Sequence, residues 1–158
     1  MDAFTVIRPF TVADQAVVRD LILSGLGSRF GFIDASFNPD LDDIHANYVA
    51  QGATVLVTEN LNAIVGCGIL MREDGSELIG RIVRMSVATS EQGKGLGRRI
   101  GEALLRVAQE RGFQRVLVET NDDWHSALRL YQSLGFHEER RAVSPEFGFV
   151  EVHMALEL

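Results

Sequence analysis

The chain is poor in cysteine, in metal-ligand patterns, in net positive charge and in long apolar runs. One cysteine, Cys67, stands among 158 residues. No intrachain disulfide can form, and a cytoplasmic, reducing compartment is expected. Cys67 lies within an apolar stretch and reads as a small buried hydrophobe rather than a nucleophile. The four histidines, His45, His125, His137 and His153, show no ligand spacing, so no metal is expected. No Ser-His-Asp arrangement can be argued from spacing. The net charge of −7 argues against nucleic acid as a partner, because that surface needs cations to replace counterions. It is compatible with a cationic amine. No apolar run is long enough to span a bilayer, so no membrane partner is expected. The opening Met-Asp-Ala-Phe lacks the basic and apolar regions of a signal peptide. Repeats, linkers and low-complexity segments are also missing. The length suits one domain over residues 1–158. With 46% hydrophobic and 23% charged residues, the composition is that of an ordinary soluble globular protein.

What the chain does have is concentrated in residues 81–109. A β-branched apolar run ends at Val87. A short polar turn leads to Gln92-Gly93-Lys94-Gly95-Leu96-Gly97, and an amphipathic stretch follows. Strand, glycine turn and helix start together aim backbone N–H groups at one anion, and the helix end adds partial positive charge. Three glycines in five positions let the backbone approach a ligand closely. Lys94, Arg98 and Arg99 add cationic side chains nearby. A phosphate or pyrophosphate is the expected group. The dinucleotide fingerprint G-x-G-x-x-G fails, with Arg98 or Ile100 at the third glycine, and the mononucleotide loop fails too.

In chain order, residues 4–9 read as a strand. A helix follows from Thr11 or Asp14 to Ser24, and Gly25 and Gly27 are expected to end it. Residues 28–39 are aromatic and irregular, with Phe30, Phe32 and Phe37, and they either line a cleft or close the core. A short helix is expected over residues 40–50. Three strands, 54–58, 63–71 and 78–87, form an antiparallel meander, the last two joined at Asp74-Gly75. The helix after the glycine loop carries Leu96, Ile100, Leu104 and Val107 on one stripe and stops at Gly112. A buried strand covers residues 115–119 and pairs in parallel with its neighbour. A helix over residues 126–134 places Ala127, Leu130, Tyr131 and Leu134 on one face. Strands begin at Phe136 and run again over residues 150–156.

Two segments resemble one family. Gln92-x-x-Gly95-x-Gly97 after Arg84-Met85-Ser86-Val87 is similar to the coenzyme A loop of the GNAT superfamily of N-acetyltransferases. Residues 127–136, Ala-Leu-Arg-Leu-Tyr-Gln-Ser-Leu-Gly-Phe, resemble its A-x-x-L-Y-x-x-x-G-F motif. The resemblance covers essentially the whole chain. It implies an α/β (α+β) GNAT fold, with a mixed central sheet of about six to seven strands and four helices.

It further implies an acyltransferase that moves an acetyl group from acetyl-CoA to a primary amine of a small molecule or peptide, by direct transfer. The alternative is a non-catalytic acyl-CoA sensor of the same fold. In the family the pyrophosphate rests on the loop backbone, here Gly93, Lys94, Gly95, Leu96, Gly97 and Arg98, with Gln92 opening the motif. The pantetheine arm lies along Met85 and Val87, where that strand parts from the next, and the Val87 N–H takes the thioester carbonyl. Asn121 corresponds to an asparagine that holds the arm, although Trp124 stands at the commoner spacing. Tyr131 corresponds to the general acid, a phenol with an ordinary pKa of about 10. Many relatives carry a carboxylate where this chain has Arg81. Glu119 is then the best remaining base, His125 acts through a water as a second choice, and a substrate amine of low pKa needs neither. Arg81 and Arg84 either recognise a substrate carboxylate or pair with Glu77 or Asp74 across the hairpin. The acceptor pocket is expected from residues 28–50 and 141–149. A homodimer is a family expectation only.

Overall fold

The computed structural model describes residues 5–31 and 34–158. Phe4 and Phe32, which the sequence reading placed on the first strand and in the aromatic segment, lie outside the described residues. The elements are β1 (Thr5–Pro9), α1 (Gln15–Phe30), α2 (Ile44–Asn47), β2 (Thr54–Asn60), β3 (Ala63–Arg72), β4 (Ile79–Val87), α3 (Leu96–Glu110), β5 (Arg115–Asn121), α4 (His125–Ser133), β6 (His137–Val143) and β7 (Val150–Glu157). The seven strands form one sheet in the order β1-β2-β3-β4-β5-β7-β6. Every neighbouring pair is antiparallel except β4 and β5, joined in parallel through α3. The expected mixed sheet with four helices is present.

Alternation along the strands divides the core between two faces. Val55 and Val57 of β2, with Cys67 and Ile69 of β3, face α1 and the α2 region, where Val18, Ile22, Leu41 and Ile44 meet them. Leu56, Leu70 and Ile82 point the other way, under α3 and α4, against Ile100, Leu104, Val116, Val118 and Met154. The apolar stripe read on α3 is the one that is buried. Gly68 lets α3 sit close to the sheet. A Cβ there would lie 2.5 Å from Met85 Sδ and 2.9 Å from Leu104 Cδ1.

Two expectations need correction. Gly25 and Gly27 do not end α1, which continues to Phe30 and stops at Gly31 with φ +80°. A Cβ on Gly25 would stand 2.9 Å from Ser86 Oγ, so this glycine serves the close approach of α1 to β4. Residues 40–50 are not one helix. Asp43 accepts from the Ala46 N–H and starts the single turn of α2, which 3₁₀ turns flank over Pro39–Asp42 and Val49–Gln51.

Asp14 anchors the start of α1 to the sheet. Its carboxylate accepts from Arg8 Nη1 at 2.8 Å, Arg8 Nη2 at 3.0 Å and the Thr11 N–H at 2.8 Å. The Arg8 guanidinium, with the Thr11 N–H helping, holds its pKa at about 2 against burial, below the ordinary 3.8. A carboxylate depressed on folding stabilises the fold above its unfolded pKa and loses that contribution as pH falls through the folded value. We expect Asp14→Asn to cost about 2 kcal/mol at neutral pH. The gap between variant and wild type should close between about pH 4 and pH 2, as read by urea unfolding. Gly68→Ala is expected to cost about 1–3 kcal/mol by the same measurement, because Met85 and Leu104 must shift to admit the methyl.

Candidate active site

β4 and β5 pair only at Ile79–Arg115, Gly80–Val116 and Arg81–Leu117. Beyond Arg81 they part, and the rest of β4 keeps β3 as its one strand neighbour. Arg84 interrupts that pairing with a bulge and takes φ +56°, a left-handed value that costs a non-glycine residue about 1 kcal/mol or more. The cost is offset by side-chain contacts. Arg84 donates to both Asp40 oxygens, at 3.1 and 2.8 Å, and to Asn38 at 3.0 Å. Tyr48 Oη donates to Asp40 at 2.5 Å. Burial and the Asp40 carboxylate push the Tyr48 phenol up to about 12.

Past the bulge, the Ala88 N–H donates to Val65 of β3. By alternation Val87 therefore turns its own N–H and carbonyl to the open side. There Gln92 Nε2 donates to the Val87 carbonyl at 3.2 Å, tying the glycine loop to the strand end. Gly93 and Gly95 have φ of +78° and +82°. Among the described residues the N–H groups of Gly93 to Arg98 donate to no backbone carbonyl; Arg99 is the first to bond back, to Gly95. These are the free donors of a helix start, extended by the loop.

Opened strand and loop share one cleft of about 580 Å³. Its walls take Gly25, Leu26 and Arg29 from α1, residues 81–87 from β4, the loop from Glu91 to Arg98 except Lys94, Glu119 and Thr120 from β5, and Tyr131 with its neighbours on α4. Of the residues proposed from sequence, Met85, Val87, Gln92, Gly93, Gly95, Leu96, Gly97, Arg98, Glu119 and Tyr131 come together here. Lys94 and Asn121 do not. Lys94 turns to Glu91 at 3.4 Å, and Asn121 ends β5 opposite Glu151, outside the cleft wall.

The pleat explains Asn121: Val116, Val118 and Thr120 face α3 and α4, so residue 121 falls on the other side. Thr120, which sequence reasoning did not single out, is on the cleft wall. It is 4% exposed, and its Oγ1 is buried without a hydrogen-bond partner among the described residues. An orphaned hydroxyl on a cleft wall suits a ligand with a polar group at that depth. The only signal in the sequence was the alternation of β5.

Tyr131 is buried in α4, its ring edge-on to Phe136 at 5.7 Å. Burial pushes its phenol up to about 12, and the positive charge of Arg29 acts in the opposite sense. Arg29 lies over the Trp124 ring, 4.6 Å from its centre. Arg81 and Arg84 pair with neither Glu77 nor Asp74. Arg81 forms a two-pronged pair with Glu73, and Arg84 reaches Asp40 across the sheet face. His125 starts α4 as an exposed residue and is not on the cleft wall. Cys67 is fully buried, and its thiol is pushed up to about 12, which fits an inert core residue.

The chain matches the description "Acetyltransferase (GNAT) family" over residues 26–136. It is 30% identical over 137 residues to the uncharacterized N-acetyltransferase YjgM of Escherichia coli (strain K12), covering 83% of this chain and 81% of that one. It is 29% identical over 109 residues to human N-acetyltransferase 8B, covering 66% of this chain but 48% of the relative, so it spans about half the length of that protein. Among solved structures, yncA from Salmonella typhimurium, determined with its cofactor acetyl-CoA, superposes with a TM-score of 0.81 at 22% identity, covering 98% of this chain and 94% of that one. The ribosomal-protein-alanine N-acetyltransferase of Brucella melitensis gives 0.81 at 23% identity, covering 97% and 99%. These two likenesses bear on the fold. With the family match over most of its length, its cleft and its glycine loop, the chain belongs to the acetyltransferase (GNAT) family.

Proposed function

We propose that the chain transfers an acetyl group from acetyl-CoA to a primary amine of a small molecule or peptide, by direct attack within a ternary complex. One observation carries this reading: the unpaired β4 edge, the unbonded loop N–H groups and the buried Tyr131 share one cleft. The loop N–H groups from Gly93 to Arg98 suit the pyrophosphate. The open edge at Met85 and Val87 suits the amide-bearing pantetheine arm, as a strand adds to a sheet. Thr120 Oγ1 has hydrogen-bonding capacity for the same arm.

Acetyl-CoA supplies a thioester carbon for the amine to attack. The Val87 N–H stabilises the oxyanion in this reading. As the C–S bond breaks, Tyr131 gives its phenolic proton to the sulfur. Its raised pKa keeps that proton in place until then, and the Arg29 charge favours the phenolate that remains. Glu119, on the cleft wall, takes the proton that the ammonium substrate must lose. The rival reading is a non-catalytic acyl-CoA-binding protein. What favours it is Arg81 at the β4 position where relatives often carry a carboxylate, with its charge already matched by Glu73.

Calorimetric titration with acetyl-CoA is expected to give saturable micromolar binding. Gly97→Glu should abolish it, because a Cβ there already meets Leu130 at 3.4 Å and Val87 at 3.8 Å, and the carboxylate beyond it would repel the phosphates beside the loop. Thr120→Val should weaken it about fivefold, the loss of roughly 1 kcal/mol of hydrogen bonding. Absence of binding at millimolar acetyl-CoA would sink both readings. Tyr131→Phe is expected to keep acetyl-CoA affinity within about twofold and to lower kcat about 100-fold or more in a thiol-release assay. Wild-type binding without turnover on any amine would favour the non-catalytic reading.

A further inference from the structure

We infer that Arg29 holds the carboxylate of the acceptor, which makes the acceptor a free amino acid with an apolar side chain. This rests on the acetyl-transfer reading above and narrows its substrate. In a chain of net charge −7, the cleft wall carries five arginines, Arg29, Arg81, Arg84, Arg98 and Arg129, and two carboxylates, Glu91 and Glu119. Three of the arginines are already matched: Arg81 by Glu73, Arg84 by Asp40 and Arg98 by Glu102. Glu91 is matched by Lys94. Among the described residues, Arg29 and Arg129 have no ion pair with a carboxylate.

Their places in the fold divide these two cations between two ligands. Arg129 is on α4, whose Leu130 meets Gly97 of the glycine loop, so it stands at the cofactor end. Arg29 is on α1, which covers the face of the sheet opposite α3 and α4. Ile22, Gly25, Leu26 and Arg29 line the cleft at the spacing i, i+3, i+4, i+7, one stripe of the helix. The stripe is apolar or bare for three positions and ends in a cation. Gly25 sits against Ser86 of β4, so the stripe borders the open strand. A cofactor anchored at the loop brings its acetyl end to the parted strands from the α3 side. The acceptor then enters from the α1 side, where Arg29 stands.

The Trp124 ring, 4.6 Å from the guanidinium, fixes the cation without taking up its N–H donors. Arg29 is exposed as a residue, so a solute can reach it, while partial loss of water lowers its pKa with no carboxylate opposing. Such a guanidinium gains from a carboxylate, which accepts two parallel N–H bonds. The Arg29 charge also acts on the Tyr131 phenol. Tyr131 is the proposed proton donor to the thioester sulfur, so the guanidinium is near the reacting carbon. A carboxylate only a few bonds from the attacking nitrogen fits both points, and that is the layout of an amino acid. In a peptide, the carbonyl next to the amine belongs to an uncharged amide. Ile22, Leu26 and Trp124, on the cleft wall with Arg29, offer apolar surface to the acceptor's side chain.

The test measures thiol release with acetyl-CoA and matched acceptors: apolar amino acids and their carboxamides, which stand for a peptide amine. Wild type is expected to use the amino acid with a kcat/KM at least about tenfold above that of its carboxamide. In Arg29→Met that ratio should fall about 30-fold, through the KM of the amino acid. Loss of the Arg29 charge at Tyr131 strikes both acceptors alike, so the ratio cancels it. Arg29→Lys should keep part of the preference, since the charge stays and the fork is lost. Acetyl-CoA affinity, read by calorimetry, should stay within about twofold in both variants, because the loop holds the phosphates. A wild type that uses the two acceptors alike or prefers the carboxamide, or a ratio unchanged in Arg29→Met, would overturn the inference and leave the acetyl-transfer reading standing. Loss of acetyl-CoA binding in Arg29→Met would also overturn it, by giving Arg29 to a cofactor phosphate. A wild type that acetylates neither class of acceptor, nor any other amine, would remove both readings.

Discussion

The parting of β4 from β5 is the constraint on which the rest of the site depends. A buried strand edge normally finds a partner, because an unpaired N–H or C=O in the interior costs about as much as a lost hydrogen bond. Here the two strands pair at three positions and then separate, and the edge from Ile82 to Val87 borders a cleft instead of a strand. The bulge at Arg84 redirects β4, and the left-handed residue at its centre is held from outside the sheet by Asp40 and Asn38. Those two residues belong to the irregular segment before α2. The direction of the cleft-facing strand end is therefore set by a segment far away in sequence, through charge-assisted bonds stronger than neutral ones.

The same long-range logic joins the irregular segments beside the cleft through a row of aromatic rings. Phe37 meets Phe147 at 5.9 Å, Phe147 stacks on Phe149 at 5.7 Å, Phe149 meets Phe30 at 5.1 Å, and Phe30 stands edge-on to Trp124 at 5.1 Å. Ring by ring, the contacts connect the end of α1, the segment before α2, the β6–β7 connection and the start of α4. Each pair is worth roughly 1 kcal/mol beyond its buried area, so the row holds together segments that have little regular structure of their own. The sequence left open whether these aromatics line a cleft or close the core. Of the two from residues 28–39 that the structure describes, Phe30 and Phe37, neither lines the cleft: Phe37 is more than half exposed, and the row touches the cleft wall through Trp124.

The legible parts of the chain were those whose physics is local. The glycine loop, the stripes of α3 and α4 and the Asp74-Gly75 hairpin each follow from a handful of neighbouring residues, and each is where the pattern placed it. The parts that were not legible depend on contacts across the fold. Gly25 looked like a helix stop because its use, the approach to Ser86, is tertiary. Arg84 looked like a hairpin charge because Asp40 is 44 positions away. Asn121, named from the family correspondence, falls outside the cleft wall and Thr120 on it, because one residue of offset on a strand exchanges the two faces of the sheet.

That pleat also bears on how one strand end can border the two proposed proton-transfer groups. Thr120 and its buried neighbours on β5 face α4, the side on which Tyr131 lies away from water with its proton firmly held. Glu119, one residue back, faces the other side, where the sheet carries Arg81, His153 and Glu151 and is partly open to solvent. Burial holds the proposed acid protonated, and its own exposure to water, 42% of the side chain, lets the proposed base discharge. A single strand separates the two environments by alternating its side chains. The cleft meets both because it runs past the end of β5, at the point where β4 has already turned away.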